Sequence, residues 1–273
     1  MVKRTAILAL MCSICISSCD VDVFGVFSAS SGLEERLECS GEFNFINQND
    51  LSLSTGEHYS FVVISDTHVM NKDANGLENI GTLLAAQGDA FIVVTGDITT
   101  NGDRENLALF MQIADSWNIP CYPVIGNHDI WFNNWQVWRE LIGSTRYRFD
   151  TDNAAFFVLD TANGLFGDAQ LDWLESELAT TGKHTFVFTH DNLFTNGIPS
   201  FFDDRLTDRR ECARFISLLA NRADAVFSGH LHRPVITTIK NVQYITQEDF
   251  KTHRTYCRVY VNGNDISYEF NQI

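Results

Sequence analysis

Short apolar runs rich in β-branched and aromatic residues recur along the chain from residue 59, and longer amphipathic stretches separate them. Runs of this kind are typical of buried strands, and the stretches between them have apolar residues at helical spacing. This alternation predicts an α/β domain in which helices cover mostly parallel strands. The predicted strands are residues 60–65, 90–95, 121–125, 154–160, 184–190 and 224–228, and the clearest predicted helices are 105–117, 168–178 and 210–222.

The pattern changes after residue 234. The runs VITTI, VQYIT, TYCRVYV and ISYEF follow one another with polar or Gly-Asn turns between them. Short strands joined by such turns are typical of antiparallel pairing. No segment from Tyr59 to the end of the chain has the composition of a linker, so the sequence predicts one domain over residues 59–273.

The N-terminal segment has the features of an export signal. Lys3 and Arg4 precede an apolar run, residues 5–16, which is short for a bilayer span but suits a secretory signal. The run ends in ISSC, which resembles the cleavage site of bacterial lipoproteins. We therefore expect residues 1–18 to be a signal peptide and Cys19 to carry lipid, with the protein anchored in the bacterial cell envelope and facing the periplasm or the exterior. Cleavage nearby without lipidation, which would release a soluble protein, is the alternative.

Residues 19–58 show no sustained hydrophobic period. They contain clusters of Ser, Gly and acidic residues, as in SASSGLEERLECSGE. We interpret this segment as a tether with at most one short helix.

The composition and charge of the chain limit the kinds of partner it can bind. The chain has 273 residues, of which 45% are hydrophobic and 20% charged, enough for a large globular core. Its 35 acidic residues outnumber 19 basic ones, for a formal net charge of −16. Because nucleic-acid binding depends on Lys and Arg contacts to phosphates, this charge argues against nucleic acid as a partner. A local cation site would still attract a small phosphate ester.

The seven cysteines divide by position. Cys12 and Cys15 lie in the predicted signal peptide, and Cys19 would be lipidated. An oxidising envelope permits disulfides among the remaining four, but their spacing predicts no pairing. Those four are Cys39, Cys121, Cys212 and Cys257.

Side chains with oxygen or nitrogen donors follow five of the predicted strands directly. Ligands of α/β proteins bind beyond the carboxyl ends of the strands, so residues far apart in sequence meet there. Histidines that follow a buried strand need hydrogen-bond or metal partners. In chain order the donor residues are Asp66, His68, Asp97, Asn127, His128, Asp129, His190, His230 and His232.

The residue types narrow the chemistry. Apart from His128 and Asp129, two aspartates, four histidines and one asparagine supply a nitrogen and oxygen donor set that suits Mn, Fe or Zn. Seven donors exceed what one ion needs, whereas two divalent ions that share one aspartate account for all of them. Such a pair is typical of phosphoester hydrolysis.

The order D-x-H, G-D-x-x-x-x-G, G-N-H-D, T-H and G-H-x-H resembles the calcineurin-like metallophosphoesterase superfamily, from about Ser60 to Pro234. The resemblance implies a four-layer αββα sandwich with antiparallel strands at the C-terminus. It also implies two divalent metal ions with Asp97 as the bridging ligand. The first ion would be bound by Asp66, His68 and His232, and the second by Asn127, His190 and His230.

By the same resemblance, His128 is not a metal ligand. It would protonate the leaving oxygen of the substrate, and Asp129 would orient its imidazole. The motif spacing is similar to that of the smaller phosphodiesterases of the superfamily, which favours a cyclic nucleotide or another small diester. A phosphomonoesterase of the same fold remains an alternative, as does a non-catalytic surface lipoprotein that keeps metal only for stability.

Two aromatic stretches are candidates for a substrate wall. Trp131, Trp135 and Trp138 recur at helical spacing, which favours core packing over base stacking. The long loop over residues 191–210 directly follows His190, and long loops in compact domains often bind substrate. Its specificity candidates are Phe194, Phe201, Phe202 and Arg205.

A few polar residues have structural interpretations. Asp103 precedes the acidic start of a predicted helix and is a candidate N-cap. Asp160 ends a predicted strand, with no role indicated. We expect the histidines outside the motifs, namely His58, His184 and His253, to have surface or strand-end positions.

Overall fold

The computed structural model describes residues 32–38, 50–194, 206 and 208–273. The strands are β1 (Ser52–Leu53), β2 (His58–Ile64), β3 (Ile92–Thr95), β4 (Cys121–Val124), β5 (Tyr147–Thr151), β6 (Ala154–Val158), β7 (His184–Phe188), β8 (Ala225–Ser228), β9 (Val235–Ile239), β10 (Val242–Thr246), β11 (Thr255–Asn262) and β12 (Asp265–Gln272). The α-helices are α1 (Leu33–Glu38), α2 (Ile80–Gln87), α3 (Arg104–Ser116), α4 (Trp135–Leu141), α5 (Asp168–Leu178), α6 (Arg209–Leu219) and α7 (Phe250–His253). In the described part of the chain, 3₁₀ segments span Leu77–Asn79 and His128–Asn133.

The strands form two mixed sheets. One has seven strands in the order β1-β5-β6-β7-β8-β10-β9, and the other has five in the order β12-β11-β2-β3-β4. Strands β2, β3 and β4 are parallel to one another, as are β6, β7, β8 and β10. The carboxyl ends of both parallel sets therefore provide the loops on which the predicted donor residues lie.

The C-terminal strands form two antiparallel pairs, β9 with β10 and β11 with β12, but the pairs divide between the sheets and β10 also pairs parallel with β8. β9 and β10 form a hairpin at one edge of the seven-stranded sheet. β11 crosses to the other sheet, where it pairs antiparallel with both β2 and β12. One predicted run of strands thus completes two different sheets.

Aromatic side chains fill the space between the two sheets. The rings of Phe61 and Phe91 stack with centroids 4.8 Å apart, and those of Phe156 and Phe186 stack at 5.3 Å. Phe61 also meets Phe156 edge to face at 5.4 Å, which joins the two sheets. All four side chains are fully buried. Because each aromatic side chain removes a large apolar area from water, this layer is a principal source of stability.

Helices cover the outer faces of the sandwich. Leu171, Leu174 and Leu178 of α5 are buried against the seven-stranded sheet together with Phe215 and Leu219 of α6. Helix α3 begins at the predicted cap, where the Asp103 carboxylate accepts a hydrogen bond from the backbone N–H of Asn106 at 3.0 Å. The core interpretation is confirmed for Trp135 and Trp138, which belong to the main hydrophobic cluster, whereas Trp131 is buried outside both clusters.

Helix α1 lies within the segment that the sequence assigned to a tether. Its Arg36 is fully buried and donates two hydrogen bonds of 2.7 Å to the carboxylate of Asp160, which is also fully buried. A third bond, 2.8 Å long, reaches Asn163 Oδ1. A bidentate pair of this kind fixes geometry as well as charge. Residues 33–38 thus form the short helix that the sequence allowed in this segment, and Asp160 anchors it on the domain.

Several predictions concern residues outside the described part of the chain. These are the signal peptide 1–18, Cys19, Cys39, and the loop candidates Phe201, Phe202 and Arg205. Within the described residues, no disulfide joins Cys121, Cys212 and Cys257. Among the same residues, no helix has both the length and the apolar character that crossing a bilayer requires.

Truncation of the inter-sheet layer should destabilise the fold strongly. Phe156→Ala removes a fully buried ring that contacts aromatic neighbours in both sheets, so we expect a loss of about 3–5 kcal/mol in the free energy of unfolding. Urea denaturation followed by circular dichroism measures it. The matched control is Phe270→Ala, which removes a ring that is 49% exposed and should change stability by about 0.5 kcal/mol. Equal midpoints for the two variants would contradict this account of the core.

Candidate metal centre

The predicted donor residues meet at one end of the sandwich. β2 leads into Asp66 and His68, β3 into Asp97, and β4 into Asn127. The other sheet contributes the loops after β7 and β8. Those loops carry His190, His230 and His232. The cluster therefore straddles both sheets, and neither sheet alone could assemble it.

Five of the predicted ligands have a left-handed backbone conformation. This conformation disfavours residues with a Cβ atom and costs about 1–3 kcal/mol when the surrounding structure imposes it. It aims the side chains sharply away from the strand direction and into the cluster. The φ angles are 53° for Asp66, 44° for His68, 48° for Asp97, 68° for His230 and 52° for His232.

Two motif glycines allow the loops to approach one another. A Cβ atom on Gly126 would overlap the backbone nitrogen and the carboxylate of Asp97. A Cβ atom on Gly229 would overlap the hydroxyl of Ser65 beside Asp66. The glycines of G-N-H-D and G-H-x-H therefore provide space for the aspartates.

A first donor group comprises Asp66, His68, Asp97 and His232, whose ligand atoms all lie within 4.8 Å of one another. His232 Nε2 is 3.2 Å from Asp66 Oδ1 and 3.3 Å from His68 Nε2. His68 Nε2 is 3.8 Å from Asp97 Oδ2. The atoms face a common point and include both carboxylates.

A second group comprises Asp97, His190 and His230, again within 4.8 Å of one another. Asn127 Oδ1 joins it, at 3.0 Å from His190 Nε2 and 2.9 Å from His230 Nδ1. His190 Nε2 is 3.3 Å from Asp97 Oδ1. Asp97 thus belongs to both groups, with one carboxylate oxygen toward each.

The arrangement fits two cations. His190 Nδ1 lies 2.8 Å from the carbonyl oxygen of Thr95, so this nitrogen must carry the proton of the neutral ring. Nε2 then presents a lone pair to the oxygens of Asp97 and Asn127, which are also acceptors. Only a cation or an additional proton makes such contacts favourable. The nitrogen and oxygen donor set suits Mn, Fe or Zn, as the sequence predicted.

The charges of the cluster agree with this interpretation. Burial raises the pKa of the Asp97 carboxyl, but the neighbouring histidines, His190 first, outweigh it and hold this pKa well below its ordinary value. The pKa of Asp66 is likewise lowered, since contact with His232 outweighs burial. Burial lowers the pKa of His68 to about 4 and, together with the charge of His190, that of His230 to about 4. Ionised carboxylates and neutral imidazoles are the forms that bind metal.

The other two histidines have raised pKa values. Burial opposes the charged form of His190, yet the carboxylates of Asp97 and Asp66 outweigh it and raise this pKa well above its ordinary value. For His232, burial is outweighed by the hydrogen bond to Asp66, which raises the pKa to about 8. In each donor group, a proton on one histidine therefore balances the negative charge of the carboxylates, as a bound cation would.

His128 lies beside the cluster with one ring nitrogen directed at it. Its Nδ1 donates to the carbonyl oxygen of Thr100 at 2.8 Å, and its Nε2 is 3.8 Å from Asp97 Oδ2. The ring of Trp131 lies against the imidazole, with centroids 3.6 Å apart. The His128 side chain is 14% exposed, so the imidazole is not completely shielded from solvent.

Asp129 differs from the sequence-based expectation. Its buried carboxylate accepts hydrogen bonds from the backbone N–H groups of Ile98, Thr99 and Gly126. Among the described residues the imidazole of His128 is oriented by Thr100, and Asp129 instead holds the loops after β3 and β4 together. Burial, followed by the charge of Asp97, raises the pKa of Asp129 to about 7.

The remaining candidates have the following positions. The ring of Phe194 packs on Tyr244 at 5.2 Å, beside the outer hydrophobic cluster, which explains its partial burial without a substrate. His184 contacts Asp224 and the carbonyl oxygen of Gly263, and His253 contacts Asp249, as expected for histidines outside the site. His58 is exposed at the start of β2.

Sequence reasoning missed the residues that hold the ligands in place. The carbonyl oxygens of Thr95 and Thr100 select the tautomers of His190 and His128, and the Ser65 hydroxyl donates to Asp66. Carbonyl groups are present at every position and carry no residue-specific signal. Only the serine, directly before the D-x-H motif, was open to detection.

A model of the calcineurin-like phosphoesterase family matches residues 59–234, more than half of the chain. The chain belongs to this family. The described fold and the two donor groups, joined at Asp97, support two divalent metal ions of unspecified identity.

Two curated proteins that are similar in sequence to this chain are both named probable cyclic nucleotide phosphodiesterases. A probable cyclic nucleotide phosphodiesterase from Fibrobacter succinogenes is 26% identical over 166 residues, which cover 57% of this chain and 62% of that protein. A second probable cyclic nucleotide phosphodiesterase, from Rhodopseudomonas palustris, is 26% identical over 212 residues. The match covers 68% of this chain and 76% of that protein. The chain thus spans less than two thirds of the Fibrobacter protein.

Solved structures show the same fold. A dimetal phosphatase from Danio rerio superposes with a TM-score of 0.64 at 15% identity, over 78% of this chain and 95% of that one. A likeness at this identity concerns the fold alone. It agrees with the two-sheet sandwich described above.

Removal of the shared carboxylate should disturb both cation positions. We expect Asp97→Ala to reduce bound Mn from two equivalents toward zero, because Asp97 is the one carboxylate common to both donor groups. Metal analysis after equilibrium dialysis measures the stoichiometry. Asp115→Ala, at an exposed position of α3, is the control and should retain two equivalents. Full occupancy in Asp97→Ala would rule out a bridging role.

Proposed function

We propose that this family member hydrolyses small phosphodiesters, with cyclic nucleotides as the favoured substrates. One observation carries the proposal: His128 directs Nε2 at a carboxylate shared by two donor groups while Thr100 fixes its other nitrogen. In this proposal His128 is the proton carrier beside the substrate phosphate. Folding alone does not require such a group.

The names of the relatives support the diester preference. Both of the curated proteins described above are named as probable cyclic nucleotide phosphodiesterases. Their identity to this chain is 26%, over 57% and 68% of its length. The choice of a diester over a monoester therefore rests on these likenesses together with the motif spacing.

Each step of the proposed reaction has a group in the site that performs it. When bound, the two cations supply an activated water and neutralise the charge of the phosphate. His128 donates the proton at Nε2 to the leaving oxygen, since Nδ1 is committed to the Thr100 carbonyl. The contact with Trp131 limits rotation of the imidazole. The backbone N–H of His128 donates to Asp97 Oδ1 at 2.9 Å, which ties the acid to the shared ligand.

Substitution of the proton carrier should separate turnover from metal binding. We expect His128→Ala to lower kcat by about 10²–10⁴-fold while metal content stays at two equivalents. The loss should be greatest for alkyl diesters, whose leaving oxygen is most basic, and smaller for p-nitrophenyl esters. His58→Ala removes an exposed histidine and serves as the control. Unchanged turnover of an alkyl diester by His128→Ala would remove this residue from the mechanism.

The diester preference itself has a direct test. Rates on bis-(p-nitrophenyl) phosphate and p-nitrophenyl phosphate, measured with added Mn, give a ratio that we expect to favour the diester. A reversed ratio would favour a phosphomonoesterase. Two bound ions without hydrolysis of these esters or of a wider panel would favour a metal-stabilised binding protein.

We further propose that the protein is a lipoprotein of the bacterial cell envelope. The support is the N-terminal sequence, in which a basic start and an apolar run precede the ISSC element ending at Cys19. Lipid attached at Cys19 would place the phosphoesterase domain next to a membrane, with small phosphate esters as its substrates. Residues 19–31 would then connect the lipid to helix α1.

Lipid attachment at Cys19 is open to direct measurement. In a bacterial host given a radioactive fatty acid, we expect the full chain to be labelled and to fractionate with membranes. Cys19→Ala should lose the label and the membrane association. Cys39→Ala, a neighbouring cysteine outside the ISSC element, should keep both. Labelling that survives Cys19→Ala would contradict the lipoprotein proposal.

A further inference from the structure

Phe132 is an exposed aromatic residue beside the candidate catalytic centre. Large apolar side chains with substantial exposure are few among the described residues, and Phe132 is 41% exposed. It lies in the 3₁₀ segment His128–Asn133, directly after Asn127 and His128.

The backbone at Phe132 is strained. Its φ and ψ are 54° and 25°, and Asn133 follows with φ of 62°. Asparagine tolerates this left-handed region, whereas a bulky aromatic residue there is an outlier. An outlier of this kind beside an active site motivates a functional hypothesis. The strained conformation turns the side chain out of the hydrophobic core.

The surrounding contacts fix the position of Phe132. Trp131 is buried but belongs to neither hydrophobic cluster, and its ring lies against His128 at 3.6 Å. The ring of Phe132 meets Trp131 edge to face at 6.5 Å. After the turn, Asn134 Nδ2 donates to the carbonyl oxygen of Asn101 at 2.8 Å. The exposed ring is therefore held next to Trp131, the side chain that packs on His128.

We propose that Phe132 is a specificity residue that stacks on a planar organic group of the substrate, a nucleobase in the favoured case. This inference rests on the proposed function, in which His128 protonates the leaving oxygen. The group attached to that oxygen then extends toward the His128 side, where Phe132 is presented. Stacking of a base on an aromatic side chain contributes about 1–3 kcal/mol, or roughly 5- to 150-fold in affinity.

A matched pair of ligands isolates the base. AMP and ribose 5-phosphate share the sugar and the phosphate and differ only in the adenine. In equilibrium binding to the Mn-loaded protein, we expect Phe132→Ala to weaken AMP by about 5- to 150-fold and ribose 5-phosphate by less than about twofold. Phe132→Tyr keeps the ring and should retain AMP affinity, whereas Phe132→Leu keeps apolar bulk alone and should lose most of it.

The control is Phe270→Ala, which removes an exposed ring on β12, a strand at the edge of the five-stranded sheet. It should leave both affinities unchanged. Equal effects of Phe132→Ala on the two ligands, or no effect on either, would overturn the proposal. So would a wild-type protein that binds AMP no more tightly than ribose 5-phosphate.

The outcome is separable from the test of turnover. Wild-type protein that binds AMP through Phe132 but hydrolyses no diester would reject the proposed reaction and keep the stacking residue. If the protein hydrolyses diesters but its AMP binding does not depend on Phe132, the proposed reaction stands and the stacking residue is rejected. Thermal unfolding of each variant verifies the fold, and Phe132→Gly should unfold at a higher temperature than Phe132→Ala because glycine accepts the left-handed backbone.

Discussion

At the carboxyl ends of the two sheets, carboxylate oxygens, imidazole nitrogens and one amide oxygen converge within a few ångströms of one another. Atoms of this kind carry lone pairs or negative charge, and burial deprives them of water. Their proximity is favourable only where positive charge joins them. Bound protons on His190 and His232 meet this need in part, and two divalent ions meet it for the whole set.

Much of the surrounding architecture serves to hold these repelling groups together. Left-handed backbone conformations at Asp66, Asp97 and His230 direct their side chains inward, at an energetic cost borne by the rest of the fold. Gly126 and Gly229 let neighbouring loops close to contact. The aromatic layer between the sheets keeps the two halves of the site in register, because each sheet contributes different ligands.

The loop after β4 combines three functions within a few residues. Asn127 completes the second donor group, His128 presents a nitrogen beside the shared carboxylate, and Asp129 binds the backbone of the β3 loop. In the same segment, Trp131 packs on the imidazole of His128. One short segment thus carries a donor of the second group, the imidazole proposed as the acid and the carboxylate that binds the neighbouring loop. Helix α1 adds a separate constraint, since the Arg36–Asp160 pair ties the start of the described chain to the domain.

The sequence by itself determined the elements and the ligand types. Alternating apolar runs located β2, β3, β4, β6, β7 and β8 to within a few residues, because a strand buried on both faces requires continuous apolar side chains. Donor residues at the ends of those strands indicated a shared metal centre. Only the tertiary structure decided that the strands divide between two sheets, that Thr100 rather than Asp129 orients His128, and that Arg36 is buried on Asp160. Those features depend on contacts between distant segments and on backbone carbonyl groups, and neither leaves a periodic pattern or a characteristic residue in the sequence.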